Sequence, residues 1–228
     1  MQNAPQTAPE KPKPPYTPPE FKEGDIAAMD AAGLIAILKD ASAPDFRKAK
    51  ACQRAGELGA AEAVPALAAL LANQRLATYA RYGLEPIADP AVDDALRGQL
   101  ARLQGDLLIG VINSLGKRRD SKAVPALARL LGQPNQEVAQ AAAACLGHIG
   151  GPASRKELLA AMAKSSGAMK IAAADGALIC AERFIADGKR EEALALHASI
   201  GAPGVPKPQR LAALSAIVRE ETSVSRPK

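Results

Sequence analysis

The sequence predicts an all-α fold, a right-handed α-solenoid of stacked antiparallel helix pairs, and three observations support it. Alanine, which favours helix more than any other residue, occurs 51 times in 228 residues. No run alternates β-branched and aromatic residues in the way that marks strands. The phrase AVPALAAL at 63–70 returns as AVPALARL at 123–130, and such self-similarity is typical of proteins built from repeated units.

Four prolines mark the starts of equivalent helices: Pro65, Pro90, Pro125 and Pro152. After the first three, apolar residues recur two, five and six positions later, which gives each helix one apolar face. After Pro152 the leucines come one residue later, so the fourth match is partial. Proline suits a first helical turn because its missing N–H would have no partner there.

A further helix is predicted before three of these prolines, over 46–59, 105–116 and 135–150. Each closes on Leu-Gly, and glycine is favoured just past a helix because it adopts the left-handed backbone without strain. The leucine of each pair is expected to be the last core contact: Leu58, Leu115 and Leu146. Three residues are predicted N-caps, whose side chains accept free N–H groups of the first turn: Asp45, Asp89 and Asn135. Because one helix pair cannot bury its own apolar stripes, the pairs should stack.

The pattern divides the chain into one solenoid and two tails. The solenoid spans 25–219, with a cap at 25–44, repeats at 45–73, 74–104, 105–133 and 135–165, a longer pair at 167–199 and a closing helix at 207–219. Inward-facing apolar residues are predicted at both ends: Ile26, Met29, Leu34, Ile35 and Leu38 in the cap, and Leu211, Leu214, Ile217 and Val218 in the closing helix.

The two tails are predicted to be unpacked. Residues 1–24 carry seven prolines, which exclude a helix and favour an extended, polyproline-type chain. This tail is either a linker or peptide ligand, or the mature start of an exported protein whose signal sequence is replaced by Met1. Residues 220–228 form the other tail. The sequence shows no signal peptide and no stretch long and apolar enough to predict insertion into a membrane.

The pattern V-P-x-L-x-x-L-L after a helix closing on Leu-Gly resembles the HEAT-like repeat of the phycobilisome-lyase type. The resemblance covers 45–165 well, and 25–44 and 167–219 more loosely. It implies an α-solenoid. Arrays of this kind serve as scaffolds, as enzyme accessories and in some cases as nucleic-acid enzymes, so the resemblance implies a fold more than a function.

A narrower resemblance concerns YARYGLEPIADPAVDDALR at 79–97 and GVINSLGKRRDSKAV at 110–124. Both are similar to HEAT-repeat segments of exported bacterial proteins, in which the array is joined to domains of the keto-disaccharide hydrolase type or to cytochrome-c-like domains. The resemblance implies a periplasmic or exported location and a partner in carbohydrate metabolism, with the cytoplasm as the alternative. The sequence shows no such catalytic domain, so no activity is carried over.

Residues suited to catalysis or metal binding are sparse. His148 and His197 lie far apart without a second ligand at metal spacing, and the His-Glu pairs through which HEAT-like hydroxylases bind iron are absent. Cys52, Cys145 and Cys180 form no C-x-x-C motif and are expected to be small core residues. We therefore predict no catalytic residue, no metal site and no cofactor, and expect that the protein is not an enzyme.

The basic run LGKRRDSK raises nucleic-acid binding as an alternative. It contains Lys117, Arg118, Arg119 and Lys122 in a chain of formal net charge +5. HEAT-like DNA glycosylases grip phosphates from such an array, but a site of that kind needs a continuous basic groove with aromatic side chains near the target base. The remaining charges are mixed in sign, so we expect a protein partner rather than a nucleic acid.

A partner-binding surface is predicted on the outward side of the proline-started helices. It consists of Asp93, Asp94, Arg97, Arg129, Arg155 and Lys156. Tyr79 and Tyr82 either pack in the core or at a groove edge, or form a hot spot for a partner, since tyrosine is enriched at such spots. The predicted function is a non-enzymatic interaction scaffold or accessory module, serving an exported carbohydrate-metabolising or redox system. A structural spacer beside a carbohydrate enzyme and a nucleic-acid-binding protein of the DNA-glycosylase kind are the alternatives.

Overall fold

The computed structural model describes residues 26–224, with side chains as far as Thr222. Across this range the chain forms helices and connecting turns, with no strand, which confirms the all-α prediction. The twelve α-helices of the described residues are α1 Ala31–Lys39, α2 Asp45–Leu58, α3 Val64–Ala69, α4 Ala77–Leu84, α5 Pro90–Arg97, α6 Gly105–Arg118, α7 Val124–Leu130, α8 Gln136–Ile149, α9 Gly151–Lys164, α10 Gly167–Ala186, α11 Arg190–Ile200 and α12 Lys207–Val224. The predicted tail at 1–24 and the end of the other tail, 225–228, lie outside the described residues.

The helices are arranged as an α-solenoid with two layers. One layer contains α2, α4, α6, α8 and α10, each in contact with the next. The other contains α3, α5, α7 and α9, where α3 contacts α5 and α7 contacts α9. We refer to these as the first-helix and second-helix layers. A continuous apolar core runs between the helices from Ile26 to Ala213, so successive pairs bury one another's apolar faces as expected for a repeat array.

The four prolines lie in the first turns of α3, α5, α7 and α9, as predicted. The repeated phrase also repeats its structure. In each copy a short 3-10 helix, Ala61–Ala63 or Ser121–Ala123, leads directly into the proline-started α-helix. The same residues therefore form the same local structure at two places in the stack.

Two of the three predicted N-caps are confirmed. The Asp89 carboxylate accepts the N–H of Ala91 at 2.7 Å, and the Asn135 side chain accepts two N–H groups at the start of α8. The prediction for Asp45 is wrong by one position. Asp45 is the first residue of α2 and caps nothing, and its carboxylate instead pairs with Arg75 at 2.8 Å.

The interpretation of the Leu-Gly pairs holds for only one helix end. Gly59 does end α2 in the left-handed conformation, with φ of 65°. Leu58 before it is 43% exposed and is not a core contact, whereas Leu115 and Leu146 are fully buried as predicted. The glycines after those two leucines, Gly116 and Gly147, lie inside α6 and α8, which continue to Arg118 and Ile149.

These internal glycines serve helix crossings rather than helix ends. A Cβ on Gly147 would lie 2.5 Å from the carbonyl oxygen of Gly176 on α10, and a Cβ on Gly83 of α4 would lie 2.5 Å from that of Cys52 on α2. Real Cβ atoms do not approach backbone this closely. Glycine therefore allows neighbouring helices of the first-helix layer to pack backbone against backbone.

The closing helix is longer than predicted and packs through a different face. It extends to Val224, so residues 220–224 are helical rather than part of a tail. Its buried residues are Ala213 and Ala216, while three of the four residues predicted to face inward are exposed: Leu211, Leu214 and Val218. The cap follows the prediction, since Ile26, Leu34 and Leu38 are buried and Met29 and Ile35 pack against the core.

Candidate protein-binding groove

The structure separates the eight predicted partner-binding residues into two regions. Tyr79 and Tyr82 lie on α4, in the first-helix layer. The remaining six lie in the second-helix layer, on α5, α7 and α9. These residues therefore do not form one surface.

Arg97 and Asp93 do not face outward as predicted. The Arg97 side chain is 19% exposed and is held between the carboxylates of Asp94 and Asp120. Asp93 receives the guanidinium of Arg118 from α6. Both residues are occupied by contacts within the chain, because the stacking of α5 on α6 brings opposite charges together.

The other four charged residues differ in their availability. Arg129 and Lys156 are exposed, and their side chains make no ion pair or hydrogen bond with other described residues. Arg155 is half-buried, with its guanidinium 5.9 Å from the centre of the Phe184 ring. Asp94 is exposed but pairs with Arg97. Their role in partner binding stays a prediction.

The two tyrosines of α4 are exposed side by side. Tyr79 is 46% exposed and Tyr82 is 64% exposed, which rules out core packing and leaves the groove-edge and hot-spot interpretations. They are three residues apart on one helix, so their side chains lie on the same face, about 5–6 Å apart at Cβ. Two of the three tyrosines of the chain are thus exposed on one helix.

The tyrosines border a groove of about 600 Å³ between α2 and α4. Its lining is Gln53, Gly56, Glu57, Tyr79, Tyr82 and Pro86. The floor is formed where the two helices cross, since a Cβ on Gly56 would lie 2.8 Å from the carbonyl oxygen of Gly83 and 3.1 Å from the Pro86 ring. Glycine at this crossing therefore lets the backbones of α2 and α4 meet beneath the groove. We call this feature the α2/α4 groove.

The Glu57 carboxylate belongs to the lining of the α2/α4 groove and is paired with Arg54. Glu57 accepts from Gln53 Nε2 at 3.1 Å and from Arg54 Nη1 at 3.2 Å, and its side chain is 48% exposed. The rest of the lining is aromatic, proline and glycine surface together with the Gln53 side chain. A lining that is mostly apolar with a few polar groups is typical of sites that bind a partner's exposed side chains.

A polar network holds α4 against α6 and thereby fixes the tyrosines. The Arg118 guanidinium donates to the carbonyl oxygens of Glu85 at 2.9 Å and Ile87 at 2.8 Å, just past the end of α4. The Glu85 carboxylate accepts from Ser114 Oγ at 2.8 Å and from Lys117 Nζ at 2.6 Å. Sequence reasoning missed this network, because its partners are about thirty residues apart and no local pattern connects them.

The i, i+4 spacing of Arg81 and Glu85 would allow their side chains to pair along α4. The structure contradicts this, because Arg81 donates to the carbonyl oxygen of Gly110 at 3.3 Å and Glu85 turns to α6. The glycine at 110 leaves space for the Arg81 guanidinium, which lies where a Cβ would be. Both residues of the expected pair therefore join neighbouring repeats rather than stabilising their own helix.

Most of the basic run is used in the same way. Lys117 and Arg118 join the network around Glu85, and the hydrogen bond from Lys117 to Glu85 raises the pKa of the lysine. Arg119 donates to Asp187 at 2.8 Å, which lowers the pKa of that carboxyl group. Among these four residues, only the exposed Lys122 has a side chain without a partner in the described part of the chain. The run is thus mainly a set of links between repeats.

The groups suited to chemistry are buried and dispersed. Cys52, Cys145 and Cys180 are 0–2% exposed, and burial raises their pKa values to about 12, 12 and 11, which keeps them as unreactive thiols. His197 is 3% exposed, and burial lowers its pKa. Between residues 26 and 224 no group of three or more potential ligands is arranged to hold a metal ion.

No helix within the described part of the chain combines the length and the apolar character needed to cross a bilayer.

Comparison with known proteins gives one family match. Residues 94–177 match the family of HEAT repeats. No curated protein matches the chain. Among solved structures, the chain is similar to an engineered protein, at 16% sequence identity and a TM-score of 0.49. The aligned region covers 88% of this chain and 97% of the engineered protein. It is also similar to a chain in the structure of the complex of CpcE and CpcF of phycocyanin lyase from Nostoc sp. PCC7120, at 17% sequence identity and a TM-score of 0.44. The aligned region covers 95% of this chain and 99% of that chain. Residues 94–177 are therefore similar to HEAT repeats, and helix pairs continue on both sides of them.

Proposed function

We propose that this HEAT-like repeat protein is a non-enzymatic accessory module that binds another protein through the α2/α4 groove. The observation that supports it most directly is the pair Tyr79 and Tyr82, exposed on one face of α4 above an apolar groove. Exposed aromatic side chains that border a pocket are the usual anchors of protein interfaces. The polar network from α6 fixes α4, so the tyrosines are held in position before any partner arrives.

The experiment compares capture of partners from the native cell by three forms of the protein. The test variant is Tyr79→Ala with Tyr82→Ala. The matched control is Arg129→Glu with Lys156→Glu, a double change on the second-helix layer that tests the surface first predicted from the sequence. All four residues are at least partly exposed, so each change should alter stability by less than about 0.5 kcal/mol.

A partner that binds the groove should be recovered with the wild type and the charge-reversal control, and lost with the tyrosine variant. Removal of one interface hot spot costs about 2 kcal/mol, or roughly 30-fold in Kd. Equal recovery with the tyrosine variant would reject the groove. Loss only with the charge-reversal variant would instead assign binding to Arg129 and Lys156. Circular dichroism of each variant checks that helicity is unchanged.

We propose that this module is periplasmic or exported, and that it is the accessory of a carbohydrate-metabolising or redox system. The support is the resemblance of residues 79–97 and 110–124 to segments of exported bacterial proteins, and the first of these segments contains both tyrosines. Fractionation of the native cell tests the location, since recovery of the protein in the cytoplasmic fraction alone would contradict it.

Nucleic-acid binding remains the second candidate, and the basic run is the feature that raised it. Three of its four cations already pair with carboxylates of the same chain, which leaves little free charge for phosphate. Binding to duplex DNA that weakens steeply with salt would favour this candidate, because phosphate contacts release counterions. We expect no shift of duplex DNA at moderate salt.

A further inference from the structure

The outer face of α12 carries a stripe of exposed apolar side chains, Leu211, Leu214 and Val218, which we call the α12 stripe. Their exposed fractions are 51%, 44% and 60%, and they are three of the seven large apolar side chains exposed in the described residues. Their spacing of three and four residues places them on one face of the helix. With 3.6 residues per turn, that face lies roughly 160° around the helix from Ala213 and Ala216, which are buried.

This orientation is the reverse of the one that burial within a single chain favours. The free energy gained by burial grows with the apolar area removed from water, yet α12 buries alanine methyl groups and exposes the larger leucine and valine side chains. Helices α10 and α11 contact α12 but leave the α12 stripe exposed. An exposed and contiguous apolar surface of this kind is typical of contact with another molecule.

Charged residues of opposite sign extend the α12 stripe at its two ends. Lys207 precedes Leu211 by four residues, and Glu221 follows Val218 by three, so both share the face of the stripe. Both charged side chains are exposed. A second α12 in antiparallel orientation would place lysine beside glutamate at each end, whereas a parallel one would place like charges together. The face is therefore complementary to itself in the antiparallel orientation.

From these observations we infer that two copies of this chain associate through the α12 stripe, antiparallel about a two-fold axis that passes near Leu214. Leu214 lies seven residues from both Lys207 and Glu221, so it meets its own counterpart at the axis. Leu211 then packs beside Val218 of the second copy. A self-complementary surface of this kind produces a closed dimer, which is the commonest form of soluble oligomer.

The dimer would hold two α2/α4 grooves in one particle. Contacts run from α2 through α4, α6, α8 and α10 to α12, so the groove and the α12 stripe lie at opposite ends of the stack. Association through α12 leaves both grooves uncovered. Two linked sites bind a partner that offers two targets more tightly than one site does. The inference goes beyond the proposed function, because association through α12 does not require the groove.

The size of the contact indicates a weak dimer. Helix α12 is about 27 Å long, at 1.5 Å per residue over Lys207–Val224. One pair of such helices buries less than the roughly 1,600 Å² of a standard stable interface, which places the dimer among transient complexes. We expect a Kd between about 1 μM and 1 mM, so that the chain is monomeric at high dilution and dimeric when concentrated.

The first test is sedimentation equilibrium of the intact chain between about 1 μM and 1 mM. The test variant is Leu214→Ser, and the matched control is Leu58→Ser, because the two leucines are 44% and 43% exposed. We expect the wild type and the control to show the same rise of mass with concentration. Leu214→Ser should raise the Kd at least roughly 30-fold, since both copies lose a central contact. Circular dichroism checks the helicity of each variant.

The second test uses disulfide formation to determine the orientation. Leu214→Cys, Lys207→Cys and Glu221→Cys each add one accessible thiol, while the three native cysteines are buried. Under mild oxidation Leu214→Cys should link to itself between copies. Lys207→Cys alone should not, because its counterpart lies roughly 21 Å away along the helix, beyond the roughly 7 Å that a disulfide spans. A mixture of Lys207→Cys and Glu221→Cys should link.

Three outcomes would overturn the inference. They are a monomer mass at every concentration, an equal effect of the two serine variants, and self-linking of Lys207→Cys as fast as that of Leu214→Cys, which would indicate a parallel arrangement. The result is separable from the proposed function. If partner capture depends on Tyr79 and Tyr82 while the chain stays monomeric, only this inference fails. If the dimer forms but capture ignores the tyrosines, only the proposed function fails.

Discussion

At the scale of single residues, glycines at helix crossings determine how closely neighbouring repeats pack. Gly147 on α8 and Gly176 on α10 face each other, and a Cβ on Gly176 would lie 2.5 Å from the carbonyl oxygen of Ala143. Backbone atoms cannot move aside as a flexible side chain does. The crossing must therefore open to admit even one methyl group.

We expect Gly176→Ala to lower the free energy of unfolding by about 1–3 kcal/mol, the usual cost of overpacking. Gly98→Ala is the matched control, since Gly98 is exposed at the end of α5 and a Cβ there meets nothing closer than 3.4 Å. The control should be neutral or stabilise by up to about 1 kcal/mol through the unfolded state. Urea unfolding of both variants measures the difference, and equal values would contradict the crossing argument.

His197 is the residue whose burial should make stability depend on pH. Its pKa is lowered because burial disfavours the imidazolium, although the carboxylates of Glu182 and Glu220 favour it and Arg219 opposes it. As pH falls below the unfolded value of 6.5, the unfolded chain binds a proton that the folded chain does not. Stability from this group is therefore complete above that pH and decreases as the solution becomes more acidic.

We predict that His197→Gln reduces the loss of unfolding free energy between about pH 7.5 and pH 5.5. A difference of one bound proton between the folded and unfolded chains changes the free energy of unfolding by at most about 1.4 kcal/mol per pH unit. His148→Gln is the control, because His148 is exposed. The quantity compared is the pH-dependent part of the unfolding free energy, which is insensitive to any fixed cost of the substitution. An unchanged slope in the His197 variant would show that another group is responsible.

At the scale of elements, one arginine makes several of the contacts that join the end of α4 to α6. Arg118 is 12% exposed at its side chain and satisfies the carbonyl oxygens of Glu85 and Ile87 together with the Asp93 carboxylate. Its planar guanidinium makes these contacts at once, which a lysine ammonium does not reproduce. Removal of the Arg118 side chain would leave several partly buried oxygen acceptors without a donor.

We expect Arg118→Ala to cost about 3 kcal/mol of unfolding free energy, with Arg118→Lys recovering only part of it. Arg119→Ala, at the next position, should cost less than about 1 kcal/mol, because its pair with Asp187 is more exposed. Chemical unfolding with a guanidinium-free denaturant such as urea measures all three. If the two alanine variants were equally stable, the network would not be what holds α4.

In the closing helix, α12, the neighbouring helices determine which face is buried. The leucines of α12 have the spacing of an apolar face, yet Ala213 and Ala216 are buried and Leu211 and Leu214 are exposed. A helix with faces of similar apolar character packs through the one whose side chains fit the adjoining helices, here α10 and α11. Periodicity predicted that this helix exists but not which side of it faces the core.

At the scale of the whole molecule, a stack in which each pair contacts only its neighbours should open from its ends. Helix α12 has only Ala213 and Ala216 buried among its described side chains, whereas α10 has seven buried residues and contacts α8, α9 and α11. We predict that backbone amides of α12 exchange with solvent faster than those of α10. Hydrogen exchange with mass spectrometry measures this, and equal protection along the array would indicate one cooperative unit instead.

Much of the architecture was predictable because its causes are local. Proline at a first turn, Asp89 and Asn135 as N-caps, and the repeated phrase at 63–70 and 123–130 act within a few residues, and the structure confirms each. Of the site, the sequence indicated Tyr79 and Tyr82 but left open whether they were buried. It also placed Arg97 and Asp93 on a free surface, although contacts between repeats occupy both.

The sequence by itself determined the helical class, the pairing of helices and the points at which most of them begin, since these follow from backbone chemistry over a single turn. Only the tertiary structure decided which glycines lie at crossings, which charges are consumed between repeats and which aromatic rings stay uncovered. These features depend on residues that the stack brings together from about thirty positions apart. No local pattern specifies the neighbour across a helix interface, and that neighbour fixes whether a side chain is buried, paired or free to bind.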